Sequence, residues 1–178
     1  MVTGHVFIAT SLDGFIAREN GDIDWLLKHD QADEDHGYDA FINEIDVIVM
    51  GRGTYEAVRS MGAWFYNRPV LVLSRRLAQQ DVPQELSGKV RFSDKSPEEA
   101  MVMLTSEGAR RAYVDGGQVI QSFLERDMIS DMVITRVPIL LGKGRPLFGG
   151  GPRDVALAHK GTRSFPSGLV QSHYEVVR

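Results

Sequence analysis

The chain of 178 residues is 43% hydrophobic and 25% charged, carries a formal net charge of −4, and contains no cysteine. A chain of this length fits one domain, so we expect residues 1–178 to form a single domain, and the composition excludes disorder as the main state. The lack of cysteine excludes thiolate zinc sites, cysteine nucleophiles and disulfides. The acidic balance, without a basic stripe, argues against nucleic acid as a partner.

Membrane segments are not indicated by the sequence either. The longest apolar runs, such as Val47–Met50 and Val70–Leu73, have the length of strands, whereas a membrane-spanning helix needs roughly 20 residues. The first residues lack the basic region and long apolar stretch of a secretion signal. We therefore expect a cytoplasmic protein without a membrane partner.

Short apolar runs rich in valine and isoleucine alternate with amphipathic segments up to Pro138. The runs predict buried strands at His5–Thr10, Asp46–Met50, Val70–Leu73, Ala112–Val114 and Met132–Val137. The segments between them predict helices at Asp33–Asn43, Thr54–Met61, Ser96–Gly108 and Gln118–Arg126. This alternation is typical of an α/β fold with a mostly parallel central sheet and helices on both faces.

The pattern changes after Pro138. The glycine-rich segment Gly142–Pro152 has no apolar period and is predicted to be a loop. Val155–His159 and Val170–Val176 then alternate apolar and polar residues on either side of the turn-rich segment Gly161–Gly168. These features predict a C-terminal antiparallel hairpin.

Three of the predicted strands are followed by segments that suit an anion. Gly51–Thr54 joins two glycines and an arginine to a helix start, Ser74–Arg76 has a hydroxyl beside two guanidiniums, and Asp115–Val119 has a double glycine before a helix. Each segment alone is typical of a tight turn, a helix cap or a charged surface. Because ligands bind beyond the carboxyl ends of the strands in such sheets, the coincidence of all three favours a ligand with several phosphates.

Four segments, in one order along nearly the whole chain, carry a resemblance to a known family: Ser11–Ala17, Met50–Glu56, Val114–Gly117 and Pro138–Gly144. They resemble the dihydrofolate reductase-like superfamily, in particular the C-terminal reductase domain of riboflavin biosynthesis and its stand-alone relatives. The resemblance implies a dihydrofolate reductase-like three-layer α/β fold, with the parallel sheet between helices and the antiparallel hairpin at its end.

The resemblance also implies NADPH as the cofactor. The diphosphate would be held by the glycine-arginine-x-threonine turn and by the double glycine, whose joining peptide is typically cis in the family. Ser74 and Arg75 would hold the adenosine 2′-phosphate. The implied cofactor-binding residues are Ala9, Ile16, Ala17, Gly51, Arg52, Gly53, Thr54, Leu73, Ser74, Arg75, Gly116, Gly117, Gln118 and Val119.

On the substrate side, the resemblance implies hydride transfer to a small heterocyclic or ribosylamino-pyrimidine-like molecule, as in 5-amino-6-(5-phosphoribosylamino)uracil reductase. Trp25 and Tyr55 are candidates to wall the substrate pocket. Asp30 or Asp13 would supply or relay the proton, provided that desolvation raises the pKa of the carboxyl. The acids and histidines between His29 and His36 fit no standard ligand spacing, so no metal is predicted.

Two other functions stay open at this point: dihydrofolate reductase proper, and a non-catalytic dinucleotide-binding module that keeps the cofactor cleft without turnover. Oxidation of NADPH with a panel of aldehydes, dihydropterins and ribosylamino-pyrimidines would separate these possibilities. Relatives of this kind commonly form two-fold dimers, and the hairpin has an edge that invites pairing, so we expect a homodimer.

Overall fold

The computed structural model describes residues 1–29, 33–151 and 153–178. The strands in these ranges are β1 (Thr3–Ser11), β2 (Phe15–Ala17), β3 (Val47–Gly51), β4 (Val70–Leu73), β5 (Val90–Ser93), β6 (Arg111–Asp115), β7 (Ile129–Val137), β8 (Arg145–Pro146), β9 (Leu157–Ser164) and β10 (Val170–Val176). The helices are α1 (Asp24–Leu27), α2 (Tyr38–Asn43), α3 (Arg52–Ser60), α4 (Pro97–Ser106) and α5 (Gly117–Leu124).

Eight of the strands form one sheet in the order β5-β4-β3-β6-β1-β7-β10-β9. The strands from β5 to β7 in this order are parallel, whereas β10 is antiparallel to both β7 and β9. Strands β2 and β8 pair with each other outside this sheet. The carboxyl ends of β3, β4 and β6 therefore lie side by side at one edge, which is where open α/β sheets bind ligands.

The central strands are apolar on both sides because helices cover both faces of the sheet. In β3, Val49 packs with Phe123 of α5 on one face, and its neighbour Ile48 packs with Tyr55 of α3 on the other. Both β3 residues are fully buried. Successive side chains of a strand point to opposite faces, so a strand buried on both sides has a continuous apolar run.

The predicted fold class is confirmed, with differences at single elements. The parallel strand β5 was not predicted, because its four residues include only two apolar ones, Val90 and Phe92, which is too short a run to show a period. Helix α2 begins at Tyr38 rather than Asp33, because Gly37 has a φ of 82° that ends any helix before it. The predicted loop Gly142–Pro152 contains the short strand β8, and β9 continues past Gly161 to Ser164.

The hairpin strand β9 lies at the open edge of the sheet, and most of its residues are exposed. The homodimer expected through this edge stays a prediction, and a monomer mass that does not change with concentration in sedimentation would contradict it. Among the described helices, none is both long and apolar enough to cross a membrane.

Candidate functional site

A cleft of about 1510 Å³ opens at the edge where β3, β4 and β6 end. Small-molecule pockets are usually about 300–1,000 Å³, so this cleft has room for an extended ligand such as a dinucleotide. It is lined by the segments that follow the three strands, by the loop after β2, and by β8.

The first wall of the cleft is the start of α3. Gly51 ends β3 and precedes the helix, and an added Cβ on Gly51 would lie 3.0 Å from Cγ2 of Val119. The first turn of this nine-residue helix contains no acidic residue. Arg52 donates to Glu56 along the helix surface at 2.8 Å. The leading amides of α3 therefore remain available to an anion, whereas the Arg52 charge is already paired.

The double glycine forms the second wall. Gly116 has a φ of 94°, and an added Cβ there would collide with Oγ1 of Thr54. An added Cβ on Gly117 would lie 2.6 Å from the carbonyl oxygen of Pro146. Glycine is needed at both positions because the first turns of α3 and α5 and strand β8 meet there. The peptide bond between the glycines is trans, in contrast to the cis bond that the resemblance implied.

The third wall is the turn after β4. The Ser74 Oγ accepts the backbone N–H of Arg76 at 3.1 Å and of Leu77 at 3.2 Å, which fixes the turn. As an acceptor in both bonds, this hydroxyl keeps its own hydrogen for a ligand. Arg75 and Arg76 are exposed and line the cleft, and neither forms an ion pair in the ranges that the structure describes.

Most of the predicted cofactor residues are brought together by the fold. The ones that line the cleft are Ile16, Gly51, Arg52, Gly53, Thr54, Leu73, Ser74, Arg75, Gly116, Gly117, Gln118 and Val119. Two of the predicted cofactor residues do not line the cleft. Ala17 is buried, with its carbonyl oxygen against Gly144, and Ala9 is half-buried on β1 beside Thr135 of β7.

Next to the cleft, Asp115 lies within an aromatic cluster that joins the two central strands to α2. The members of this aromatic cluster are Phe7, Tyr38, Phe41, Tyr66 and Tyr113. The ring centroids of Phe7 and Phe41 are 5.1 Å apart, and the Tyr113 hydroxyl donates to the Phe7 carbonyl oxygen at 2.8 Å. The Asp115 carboxylate accepts the Tyr66 hydroxyl at 3.4 Å and the Gly116 N–H at 2.8 Å. The carboxylate thus adjoins the double glycine of the cleft.

Burial raises the pKa of Asp115 to about 6, although the hydrogen bonds from Gly116 and Tyr66 act in the opposite direction. Burial, followed by the charges of Asp115 and Asp39, raises the pKa of Tyr38 to about 12. Asp115 keeps partial solvent access. A carboxyl with such a pKa exchanges its proton near neutral pH, which is typical of functional sites. Its sequence signal was an acid between a strand and the double glycine, a position to which the motif alone assigned no role.

Asp13, in contrast, is an exposed structural carboxylate. It accepts the Ser11 hydroxyl at 2.6 Å and the backbone N–H groups of Leu141 at 3.1 Å and Gly142 at 2.7 Å. The Ser11 bond above all lowers the pKa of Asp13. The expectation that Asp13 supplies the proton is therefore corrected, because these bonds hold it ionised as a link between two loops. Asp30, the other candidate, lies outside the described residues.

The two aromatic residues expected to wall the substrate pocket belong to the hydrophobic core. Trp25 is 1% exposed and packs with Val137 and Leu169. Tyr55 is 7% exposed, and its ring centroid lies 5.1 Å from that of Phe92. Neither lines the cleft, so this expectation is corrected: their rings are covered by apolar neighbours.

Comparison with known proteins assigns the family. The RibD C-terminal domain family matches residues 3–171. The chain belongs to the RibD C-terminal domain family. The family consists of reductase domains, which makes this RibD C-terminal domain protein a member of an oxidoreductase family.

Relatives cover at least 95% of this chain. The uncharacterised protein YwjB of Bacillus subtilis (strain 168) is 32% identical over 170 residues, which are 95% of either chain. An inferred riboflavin biosynthesis protein from Shewanella sp. PV-4 is 38% identical with a TM-score of 0.93, covering 99% of this chain and 100% of that one. A deaminase/5-amino-6-(5-phosphoribosylamino)uracil reductase from Thermotoga maritima shares the fold, at 18% identity and a TM-score of 0.76, over 99% of this chain and 57% of that one.

Proposed function

We propose that the protein is an NADPH-dependent reductase that acts on a small heterocyclic or ribosylamino-pyrimidine-like substrate. One observation carries this proposal: a long cleft with anion-binding walls adjoins the half-buried carboxyl of Asp115, whose pKa is raised. Membership of the RibD C-terminal domain family supports the reductase class, and the Thermotoga relative supports the substrate class.

The cleft residues fit a dinucleotide. The first residues of α3 and α5 line the cleft, where helix-start amides suit an anion, and the tight packing at Gly117 leaves no room for a side chain. Ser74 and Arg75 offer a hydroxyl and a planar guanidinium that together suit the 2′-phosphate of NADPH. When bound, the cofactor supplies the hydride, so the protein binds and orients the reactants and handles one proton.

The aromatic cluster suits a flat substrate ring. Phe7, Tyr38 and Tyr66 belong to this cluster and are half-buried, and the Tyr66 hydroxyl donates to the Asp115 carboxylate. That carboxylate accepts an N–H of a heterocycle when ionised, and it holds a proton for transfer when neutral. Its pKa of about 6 allows both forms near neutral pH. This role replaces the one first expected of Asp13.

Cofactor choice gives the first test. We expect Arg75→Ala to weaken NADPH binding by about 1.5–3 kcal/mol, or roughly 10- to 150-fold, because one charge-assisted hydrogen bond is lost. NADH, which lacks the 2′-phosphate, should bind nearly as before. Titration of both cofactors, followed by the emission of the reduced nicotinamide, measures the two effects.

Arg136→Ala is the matched control, since Arg136 is also exposed but does not line the cleft. The same titration on Arg76→Ala tests whether the neighbouring guanidinium shares the task. Equal losses for NADPH and NADH in Arg75→Ala would contradict NADP preference. Binding of NADPH without its oxidation by any member of the substrate panel would contradict the reductase proposal and favour a non-catalytic module.

A further inference from the structure

From a strand that the sequence pattern did not indicate, Arg145 extends a fourth guanidinium into the cleft, besides those of Arg52, Arg75 and Arg76. It is the first residue of β8 and pairs with Ala17 of β2. Its Nη1 lies 3.1 Å from the position of an added Cβ on Gly21 and 3.7 Å from that on Gly53. The guanidinium therefore stands between the loop after β2 and the first turn of α3, and both line the cleft.

The backbone around Arg145 is held in place on both sides. An added Cβ on Gly144 would collide with the carbonyl oxygen of Ala17, and one on Gly117 would lie 2.6 Å from that of Pro146. Strand β8 is thus packed directly against β2 and the start of α5. Because the backbone at Arg145 is held in place, its side chain enters the cleft from a defined point. Less conformational entropy is therefore lost when it binds a ligand.

The charge of Arg145 has no acidic partner in the part of the chain that the structure describes. The nearby Glu19 carboxylate pairs with Lys143 at 3.2 Å, and Arg145 donates its Nε–H only to the Glu19 backbone carbonyl at 3.3 Å. Arg52, by comparison, is paired with Glu56. A guanidinium carries five N–H donors in a planar fork that matches phosphate oxygens, so Arg145 keeps donors free for an anion.

We propose that Arg145 binds the diphosphate of the dinucleotide, between the first turns of α3 and α5. This inference rests on the proposed function. Arg75 follows β4, whereas Arg145 lies on β8. The Arg145 guanidinium adjoins Gly53 of the helix that follows β3, and its neighbour Pro146 contacts Gly117 of the helix that follows β6. The two arginines therefore hold different phosphates: Arg75 selects NADPH over NADH, and Arg145 contributes affinity for any dinucleotide.

The test uses four ligands that separate the phosphates: NADPH, NADH, ADP-ribose and adenosine 2′-monophosphate. In Arg145→Ala we expect binding of the first three, which contain the diphosphate, to weaken by roughly 10- to 100-fold. Adenosine 2′-monophosphate, which lacks the diphosphate, should bind within about twofold of the parent. Isothermal calorimetry measures all four ligands on the full chain.

Two variants complete the design. Arg145→Lys keeps the charge but not the fork, so we expect an intermediate loss for the same three ligands. Lys143→Ala removes an adjacent exposed cation that is paired with Glu19, and all four ligands should bind it as they bind the parent. Circular dichroism confirms that each variant is folded.

The outcomes separate this inference from the proposed function. If the parent binds NADPH and Arg145→Ala binds ADP-ribose equally well, the role of Arg145 is wrong and the proposed function stands. A similar loss for adenosine 2′-monophosphate would indicate a structural role and overturn the inference. A parent chain that binds none of the four ligands would overturn both.

Discussion

Alanine at Gly117 is expected to weaken NADPH binding by more than about 100-fold, because the new Cβ would lie 2.6 Å from the backbone oxygen of Pro146. Backbone cannot rotate away as a side chain does, so the start of α5 or strand β8 must shift. Either shift displaces the amides and the Arg145 side chain that face the diphosphate. Gly116→Ala should have an effect of similar size, since it adds the cost of a φ of 94° to the collision with Thr54.

Two controls separate this effect from general destabilisation. Gly108 has a φ of 91° and open space around an added Cβ, so Gly108→Ala carries the same backbone strain as Gly116→Ala without touching the cleft. Gly150→Ala adds a methyl group in open space without a positive φ. NADPH titration and thermal unfolding of the four variants measure affinity and stability separately. Parent-like affinity in Gly117→Ala would show that the double glycine does not form the diphosphate site.

Loss of the Asp115 carboxyl is expected to lower kcat/KM by about 10²- to 10⁴-fold, the usual contribution of a positioned acid or base. Asp115→Asn is the suitable variant, because it keeps the size of the side chain and its amide oxygen can still accept the Gly116 N–H. The NH2 group of the new amide can donate to the Tyr66 oxygen, in place of the bond now accepted from Tyr66. The NADPH affinity of this variant should remain within about twofold of the parent, since the carboxyl adjoins the cleft without lining it. Equal kcat/KM values for Asp115→Asn and the parent would contradict the role of Asp115.

The role of Asp115 also predicts the direction in which kcat/KM changes with pH. The protonated form of Asp115 prevails below its pKa of about 6, so a reaction that draws on this proton slows as the pH rises through that value. The Tyr66 hydrogen bond lowers the pKa of Asp115, and Tyr66→Phe should therefore move this limb of the kcat/KM profile to higher pH. Tyr174→Phe, on β10, is the matched control and should leave the limb unchanged. A limb that persists in Asp115→Asn would assign the titration to another group.

The cofactor half of the site could be predicted from the sequence because its signals are local. A strand end, a glycine turn and a helix start are neighbours in the chain at Gly51–Thr54 and at Gly116–Val119, and Ser74–Arg76 directly follows β4. Once the alternation of strands and helices indicates a parallel sheet, these segments must lie along one edge. No long-range contact has to be known for this step.

The catalytic half depends on contacts between distant residues. Asp115 has its raised pKa because the fold buries it, and its hydrogen-bond partner Tyr66 lies 49 positions away in the chain. Arg145 reaches the cleft only through the pairing of β8 with β2. Asp13 was misjudged for the same reason. Two of its three hydrogen-bond donors, the amides of Leu141 and Gly142, are more than a hundred residues away in sequence.

The distinction between local signals and contacts of distant residues also explains the errors in the predicted fold. Trp25 begins a segment whose apolar residues are too few to show a period, so its burial against Val137 and Leu169 could not be anticipated. Strand β5 has only Val90 and Phe92 as buried positions, and its assignment comes from pairing with β4. Short elements are defined by their partners rather than by their own pattern.

A crystal structure with NADPH bound is the most direct test of the central claim, that one edge of the sheet joins a dinucleotide cleft to the Asp115 carboxyl. We expect the 2′-phosphate beside Ser74 and Arg75 and the diphosphate between the starts of α3 and α5. The nicotinamide ring should end next to Asp115 and the aromatic cluster. A cofactor bound elsewhere, or one whose nicotinamide points away from Asp115, would contradict the account.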